Sequence, residues 1–442
     1  MSSRLLANLS ITTPASLGDD VELHELSRDG DSPNDRILSV VAVCRKNWRS
    51  DWPALGGTRC VPIDPAKGWD FIEREIRREA HELAFAMYLK NNFLRTSEKA
   101  LSDRDVNRFG WQGAKGVVWI PLDPTLGKKQ SLATFRTPAR FMAHGRLVEH
   151  LGGDYVASKD AWVGARELMW IERTTSYTIG GGSKRDTGEA TAEGVAEGMR
   201  AVWKYIEKKS LKGVPVMICG LGKVGLPLAR ILASRDGAAL SFFDPALNEE
   251  RDTKSHSNRL REHIAKEIAL GAAVDVEGSA PSLDLLSRVP EKNFAGSDLE
   301  AIKSGAAILC CATDRVKWLL DPLDDGGTTR RRFEILTSLP AEKRPRVILG
   351  PANDQVPMGK DATERDALIA ALTAAGILFV PDPAVSPGGV IAVSHELGVW
   401  KEALVNADAR DIVHAGIDLL FRDAGSSVTT AQLVERFFEI AS

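Results

Sequence analysis

Val216-Met217-Ile218-Cys219-Gly220-Leu221-Gly222-Lys223-Val224-Gly225 is the stretch that decides the fold of this chain. Its first four residues are apolar and read as a buried strand, and Leu226-Pro227-Leu228-Ala229-Arg230-Ile231-Leu232 continues as a helix. Between the two lies Gly-x-Gly-x-x-Gly. Gly220 permits the tight turn, Gly222 lets the backbone approach a pyrophosphate, and Gly225 lets the helix pack closely on the strand. The free amides that open the helix would hold the phosphates. A second strand, Leu240-Ser241-Phe242-Phe243, ends at Asp244, nineteen residues beyond Gly225. A carboxylate there accepts hydrogen bonds from a ribose 2′-hydroxyl and repels a 2′-phosphate, which points to NAD. The alternative, a bland strand-turn-helix, does not call for the acid. The fingerprint begins halfway along the chain, so the residues in front of it have another task.

Bulk properties set the class. The chain has 442 residues, enough for two domains with separate cores. Charged residues make up 26% and hydrophobic residues 43%, as in an ordinary globular protein. A net charge of −3 gives no electrostatic case for nucleic acid or an anionic membrane. The five cysteines (Cys44, Cys60, Cys219, Cys310, Cys311) show no metal-ligand spacing and read as buried thiols in a reducing compartment. No metal site is expected from the eight histidines either. With no leader-like start and no membrane-length apolar run, the expected location is the cytoplasm.

The pattern along the chain predicts an α/β protein of two domains. Residues 1–187 would form an N-terminal α/β substrate domain, and 188–390 a Rossmann-type, doubly wound NAD-binding domain. Residues 391–442 would be helices packing back towards the first domain. Within the first part, 36–48 and 58–63 are expected to be antiparallel strands joined by a turn-rich Trp52–Gly57. A helix is expected from about Gly68 to Leu94, a surface insertion from Arg95 to Arg108, a strand from Gly116 to Pro121 and a helix over 158–173. Thr174 to Thr187 is the best hinge candidate. After Asp244, strands are expected at 306–311, 346–350 and 377–381, and a helix near 255–271. The stretches 246–300 and 318–345 are long enough to carry extra elements.

Four polar residues stand where chemistry could be done. Lys115, in Gly113-Ala114-Lys115-Gly116, directly precedes an apolar strand. Desolvation there would lower its pKa towards that of a useful general base, although an edge-strand lysine that blocks aggregation has the same appearance. Lys90 ends the run Met87-Tyr88-Leu89-Lys90, where a lysine also suits a helix C-terminus. Asp160, in Ala157-Ser158-Lys159-Asp160-Ala161-Trp162, is the third, although it or Ser158 could simply cap the following helix. Asn353, in Gly350-Pro351-Ala352-Asn353-Asp354-Gln355, follows a strand at the expected mouth of the cleft, as a turn asparagine also would.

Taken together, the motifs resemble the glutamate/leucine/phenylalanine/valine dehydrogenase family, especially its leucine and phenylalanine branch. Pro53-Ala54-Leu55-Gly56-Gly57-Thr58-Arg59 is similar to the family's early glycine-rich strand motif. Met87-Tyr88-Leu89-Lys90-Asn91 resembles its first lysine motif, Gly113-Ala114-Lys115 its Gly-Gly-Lys motif, and Asp160 its Glu-Asp helix start. Thr191-Ala192-Glu193-Gly194-Val195, Gly350–Gln355 and Pro381–Ile391 match later motifs, and the order is collinear from about residue 53 to 400. The resemblance implies that Lys90 binds the substrate carboxylate and that Lys115 is the general base, its pKa depressed by a neighbouring lysine. It gives Asp160 proton exchange with the departing amine. Asn353 and Gly56 would contact the substrate, and Leu55, Ser158, Val390 and Val393 would line its side chain. The cofactor contacts would be Gly220, Leu221, Gly222, Lys223, Val224, Gly225, Asp244, Pro245, Thr191, Cys311, Ala312, Thr313 and Asn353. The implied reaction is reversible oxidative deamination of a hydrophobic aliphatic or aromatic L-amino acid with NAD. Closure of two domains and a homo-oligomer are further expectations.

Three departures qualify that pattern. Twenty-five residues separate Lys90 from Lys115, more than is usual for the family. Ser386-Pro387 replaces the usual Asn-Ala, and Cys311-Ala312-Thr313-Asp314 only loosely follows the family's segment near the cofactor. They leave open an unusual amine substrate in specialised metabolism, or a non-catalytic NAD-binding sensor.

Overall fold

In the computed structural model, residues 10–12, 21–45, 52–101, 110–180, 187–244, 294–313, 317–357, 362–396, 405–422, 424 and 427–441 are described. The chain divides into two units. One comprises Met1–Asn92, Asn107–Lys184 and Glu396–Val399; the other comprises Phe93–Val106, Arg185–His395 and Trp400–Ser442.

The first unit is built on a six-stranded mixed sheet of β1 (Ser10–Thr12), β2 (Val21–Arg28), β3 (Ile37–Cys44), β4 (Ala54–Ile63), β5 (Gln112–Pro121) and β6 (Tyr155–Lys159). The order is β1-β2-β3-β5-β4-β6. Strands β3 and β4, expected to pair as neighbours, do not. Strand β5 lies between them, antiparallel to β3 and parallel to β4. The reason lies in Gly56: a Cβ there would fall 1.7 Å from the Ala114 carbonyl oxygen. Ala54–Gly57 is therefore strand, and its glycines serve close strand approach, with no turn at that point.

Helix α1 (Trp69–Leu101) connects β4 to β5. Ile72, Ile76, Ala80, Leu83 and Ala84 recur at helical spacing and are buried. The helix continues through 95–101, part of the expected surface insertion. Its polar residues mislead there, because Ser97 is buried and donates to the Phe93 carbonyl at 2.8 Å. Residues 102–108 lie outside the described residues.

Helices α2 (Gly127–Phe135) and α3 (Pro138–His150) connect β5 to β6, and α4 (Ala165–Ile171) follows. The helix expected over 158–173 is thus strand to Lys159 and helix only from Ala165. Buried Tyr155 and Ala157 extend the sheet, and α4 starts after Gly164, whose amide donates to Glu167 Oε2 at 2.9 Å. Leu26, Val41, Ala114, Leu147, Tyr155 and Ala157 belong to one apolar cluster, and Val118, Leu132, Phe141 and Ile171 to a second.

The second unit opens with α5 (Thr187–Glu207). It carries the parallel strands β7 (Pro215–Cys219), β8 (Ala239–Phe243), β9 (Ile308–Cys311), β12 (Val347–Leu349) and β13 (Leu378–Phe379), with the hairpin β10 (Pro322–Asp324) and β11 (Thr329–Arg331) between β9 and β12. The sheet order is β13-β12-β9-β7-β8. Phe294 adds a parallel bridge to Phe242, outside β8. Counted from that bridge the order is 3-2-1-4-5-6, the doubly wound arrangement whose switch point lies between β7 and β9. Helix α6 (Gly225–Ile231) follows β7 and runs on through a π-helical turn, Leu232–Asp236. The hairpin and the helix Arg332–Ser338 supply the extra elements expected over 318–345. Most of 246–300, including the helix expected near 255–271, lies outside the described residues. Helices Gly388–Ser394, Val405–Phe421 and Thr430–Ala441 close the chain. No helix among the described residues is long and apolar enough to cross a membrane.

Candidate active site

Strand periodicity assembles the first constellation. Successive side chains of a strand point to opposite faces, so Gly113 and Lys115 share one face of β5. A Cβ on Gly113 would lie 2.3 Å from the Tyr88 amide nitrogen, which identifies that face as the one covered by α1. In the sheet register Thr58 sits opposite Gly116 on one side and Lys159 on the other. Arg59 and Asp160 therefore follow one step along neighbouring strands. The Lys115 Nζ contacts Asp160 Oδ2, and the same oxygen accepts from Arg59 Nε at 3.1 Å. Arg59 Nη1 donates to Glu79 Oε1 of α1 at 2.9 Å. Lys115 is 3% exposed, Arg59 4% and Lys90 8%.

Such burial changes the charges. Desolvation pushes the Lys115 ammonium below its ordinary value of 10.5. Asp160 opposes that shift, while Arg59 and then Lys90 reinforce it. Burial works against the Asp160 carboxylate, but Arg59 and Lys115 outweigh it and hold the group well below the usual range. Arg59, despite its desolvation, stays charged between Asp160 and Glu79. The cluster thus holds a firmly ionised carboxylate against a lysine inclined to lose its proton.

On the opposite face, a buried chain of hydroxyls and one imidazole braces the same strands. Tyr155 OH donates to the Gly56 carbonyl at 3.0 Å. Its single proton is thereby used, so Thr58 Oγ1, 3.1 Å away, donates to it. Thr58 in turn accepts from His144 Nε2 at 3.0 Å, leaving Nδ1 to accept from Ser39 Oγ at 2.6 Å. His144 is fully buried, and desolvation pushes its pKa down to about 3. Gly116 leaves the room: a Cβ there would lie 2.8 Å from His144, Thr58 and Tyr155 alike.

In the second unit the fingerprint glycines have separate roles. Gly220 has φ +105°, and a Cβ would strike the Ala312 carbonyl at 2.6 Å. Gly222 faces open space, and a Cβ on Gly225 would come within 1.9 Å of the Gly220 oxygen. This is the combination needed to admit a pyrophosphate while α6 packs on β7. The Asp244 carboxylate accepts from the Leu221 amide at 2.7 Å, so the acid is held against the loop. Cys311, Ala312 and Thr313 end β9 beside it: the Ala312 amide donates to the Cys219 carbonyl at 2.8 Å, and the Ala352 amide to the Cys311 carbonyl at 2.9 Å. Asn353 follows directly, its carbonyl accepting from Gln355 Nε2 at 3.2 Å.

The remaining candidates fall into place on their own units. Leu55, Gly56 and Ser158 lie on the paired strands β4 and β6. Thr191 is on α5, its hydroxyl donating to the Thr187 carbonyl at 2.8 Å. Val390 and Val393 are on the helix Gly388–Ser394, which meets α5 so closely that a Cβ on Gly388 would lie 2.3 Å from the Ala190 oxygen. Ser386, in the departing Ser-Pro pair, spends its hydroxyl on the Asp382 carbonyl at 2.7 Å. Lys223 Nζ reaches Thr187 Oγ1 at 3.3 Å, and Val224 immediately precedes α6. Pro245 lies outside the described residues.

Several local expectations change. Lys115 stands inside an interior strand, which excludes an edge-strand role. Lys90 lies eleven residues before the end of α1, too far to serve a helix C-terminus. Neither Ser158 nor Asp160 caps a helix, because β6 continues past the first and ends just before the second. The residue that sequence reasoning missed is Arg59. Its signal was its parity with Gly57, which puts it on the lysine's face.

No protein-family model matches the chain. The valine dehydrogenase of Streptomyces virginiae is 28% identical over 410 residues, covering 92% of this chain and 90% of its own. The phenylalanine dehydrogenase of Lysinibacillus sphaericus is 25% identical over 409 residues, 91% of this chain and 85% of its own. Among solved structures, the L-tryptophan dehydrogenase from Nostoc punctiforme is similar in fold, with a TM-score of 0.55 at 19% identity over 94% of each chain. The class defined by fold and likeness is a two-domain oxidoreductase acting on CH–NH2 groups. Within that class, the chain is similar to the amino acid dehydrogenases of the leucine/phenylalanine/valine branch, a family that depends on NAD(P).

Proposed function

We propose that the protein catalyses the reversible, NAD-dependent oxidative deamination of a hydrophobic L-amino acid to its 2-oxo acid and ammonia. The observation that carries this reading is the buried Lys115–Asp160 pair, an ionised carboxylate in contact with a lysine of lowered pKa. Lys90, held on α1 near the pair, supplies a fixed cation for the substrate carboxylate. Neutral Lys115 takes a proton from the water that attacks the oxidised Cα. Asp160 exchanges protons with the nitrogen as ammonia departs. Asn353 and the Gly56 backbone are the proposed contacts to the amino acid head.

The fingerprint fits the cofactor: open space at Gly222 admits phosphate, and Asp244 is held where it disfavours a 2′-phosphate. NAD, when bound, supplies the hydride acceptor. Thr191, Cys311, Ala312 and Thr313 are the proposed neighbours of its nicotinamide half. Leu55, Val390 and Val393 are buried and apolar, and Ser158 is neutral, so none of the four offers a cation to a side-chain carboxylate. That favours aliphatic or aromatic substrates over glutamate. A homo-oligomer in the cytoplasm completes the proposal.

The test is nicotinamide absorbance at 340 nm with NAD and a panel of aliphatic, aromatic and acidic L-amino acids. Turnover confined to apolar side chains, abolished in Lys115→Ala with NAD binding retained, is the expected result. A Lys115→Ala protein that keeps its rate would overturn the assignment of the base.

A further inference from the structure

We infer that Arg59 is a positioning residue for the acid–base pair, sharing Asp160 Oδ2 with Lys115 so that the lysine is not locked into its ion pair as a permanent cation. The inference rests on Lys115 acting as the base. Its geometry is specific. The guanidinium splits its fork between two carboxylates, Nε to Asp160 at 3.1 Å and Nη1 to Glu79 at 2.9 Å. A lysine at this position has one ammonium and no second arm to span them. Glu79 is the anchor, holding Arg59 from α1 while Asp160 holds it from the end of β6.

Charge counting shows what Arg59 adds. The groups facing Lys115 are Asp160 after β6, Arg59 on β4 and Lys90 on α1, with Glu79 of α1 behind Arg59. Tyr155 and Cys60 lie near Asp160, and burial keeps both protonated and uncharged. With Lys115 protonated the five charged groups sum to one positive charge; with Lys115 neutral they balance. Take Arg59 away and the balance falls instead on the protonated lysine. A carboxylate alone would hold Lys115 as a cation and deny it the base's role, whereas a second cation on the same oxygen releases it.

Opposite substitutions distinguish this from mere support of the fold. In Arg59→Met, the acid limb of kcat/KM for deamination should move up by about one pH unit, a rate loss of about tenfold below the limb. In Glu79→Gln the limb should move down, because Arg59 then faces the pair less neutralised. Both limbs fixed with only kcat reduced, or both moving in one direction, would overturn the inference. Should Arg59→Met fail to fold, Glu79→Gln decides alone: a downward shift supports the role and an unmoved limb refutes it. The Lys115 13Cε chemical shift, followed against pH in the same variants, gives the same readout without turnover. An enzyme inactive on every amino acid would sink the proposed reaction, while this titration would still decide the role of Arg59.

Discussion

Mild acid should weaken the first unit through one histidine. His144 has both ring nitrogens engaged and no exposure, and its folded pKa of about 3 lies below the unfolded value of 6.5. The folded state therefore binds fewer protons than the unfolded chain between those values. Stability from this source is complete above pH 6.5 and is lost as pH falls towards 3. At pH 5 the unfolded histidine is about 97% protonated and the folded one almost entirely neutral, which amounts to about 2 kcal/mol relative to pH 8. The figure depends chiefly on the unfolded value, because pH 5 stands well above the folded one. His144→Gln keeps a donor and an acceptor but cannot titrate. Urea unfolding at pH 8 and pH 5 should show wild type losing about 2 kcal/mol more than the variant. Equal losses in the two proteins would refute the assignment of a buried, neutral imidazole.

Three further outcomes concern the chemistry and the cofactor. Asp160→Asn should lower kcat by about 10²- to 10⁴-fold, the usual worth of a positioned acid or base, with NAD affinity unchanged in a direct binding titration; a loss below tenfold would count against its role. Wild-type deamination should rise with pH along a limb centred below 10.5, since Lys115 must be neutral to act and burial lowers its pKa. A limb at or above that value in a kcat/KM profile would contradict the assigned base. Asp244→Ser should raise the ratio of NADP to NAD efficiency by about tenfold or more, by removing the charge that repels a 2′-phosphate. An unchanged ratio would mean that the acid serves only the Leu221 amide.

The nucleotide unit was legible because its determinants are local. Strand, glycines, helix and acid lie within thirty residues, and Gly225 meets its steric reason at Gly220, inside the same stretch. The first unit was harder. The neighbour of β4 is β5, separated from it by the long α1, and no local pattern reports which strand will intervene. Gly56 and Gly57 looked like turn formers because glycine has two uses, and only the Ala114 carbonyl shows which applies. The end of α1 was misjudged for a related reason: Ser97 satisfies its hydroxyl within the helix and is buried, so polarity there does not signal solvent. Lys115, Asp160 and Lys90 were singled out through motif order, and the structure brings them together. Arg59 was passed over because its meaning arises only once two distant carboxylates converge on it.

The glycine pair on β4 also constrains how this scaffold can be retooled. A methyl group at Gly56 would enter the Ala114 carbonyl, and one at Gly57 would lie 2.5 Å from the Asp160 Cβ. The pair itself has no room for even the smallest side chain. On the proposed assignment of Leu55 and Ser158 to the substrate's side chain, a library aimed at new substrates would randomise those two and hold Gly56 and Gly57 fixed. In such a library, appetite for a different side chain and competence to move protons become separately adjustable traits.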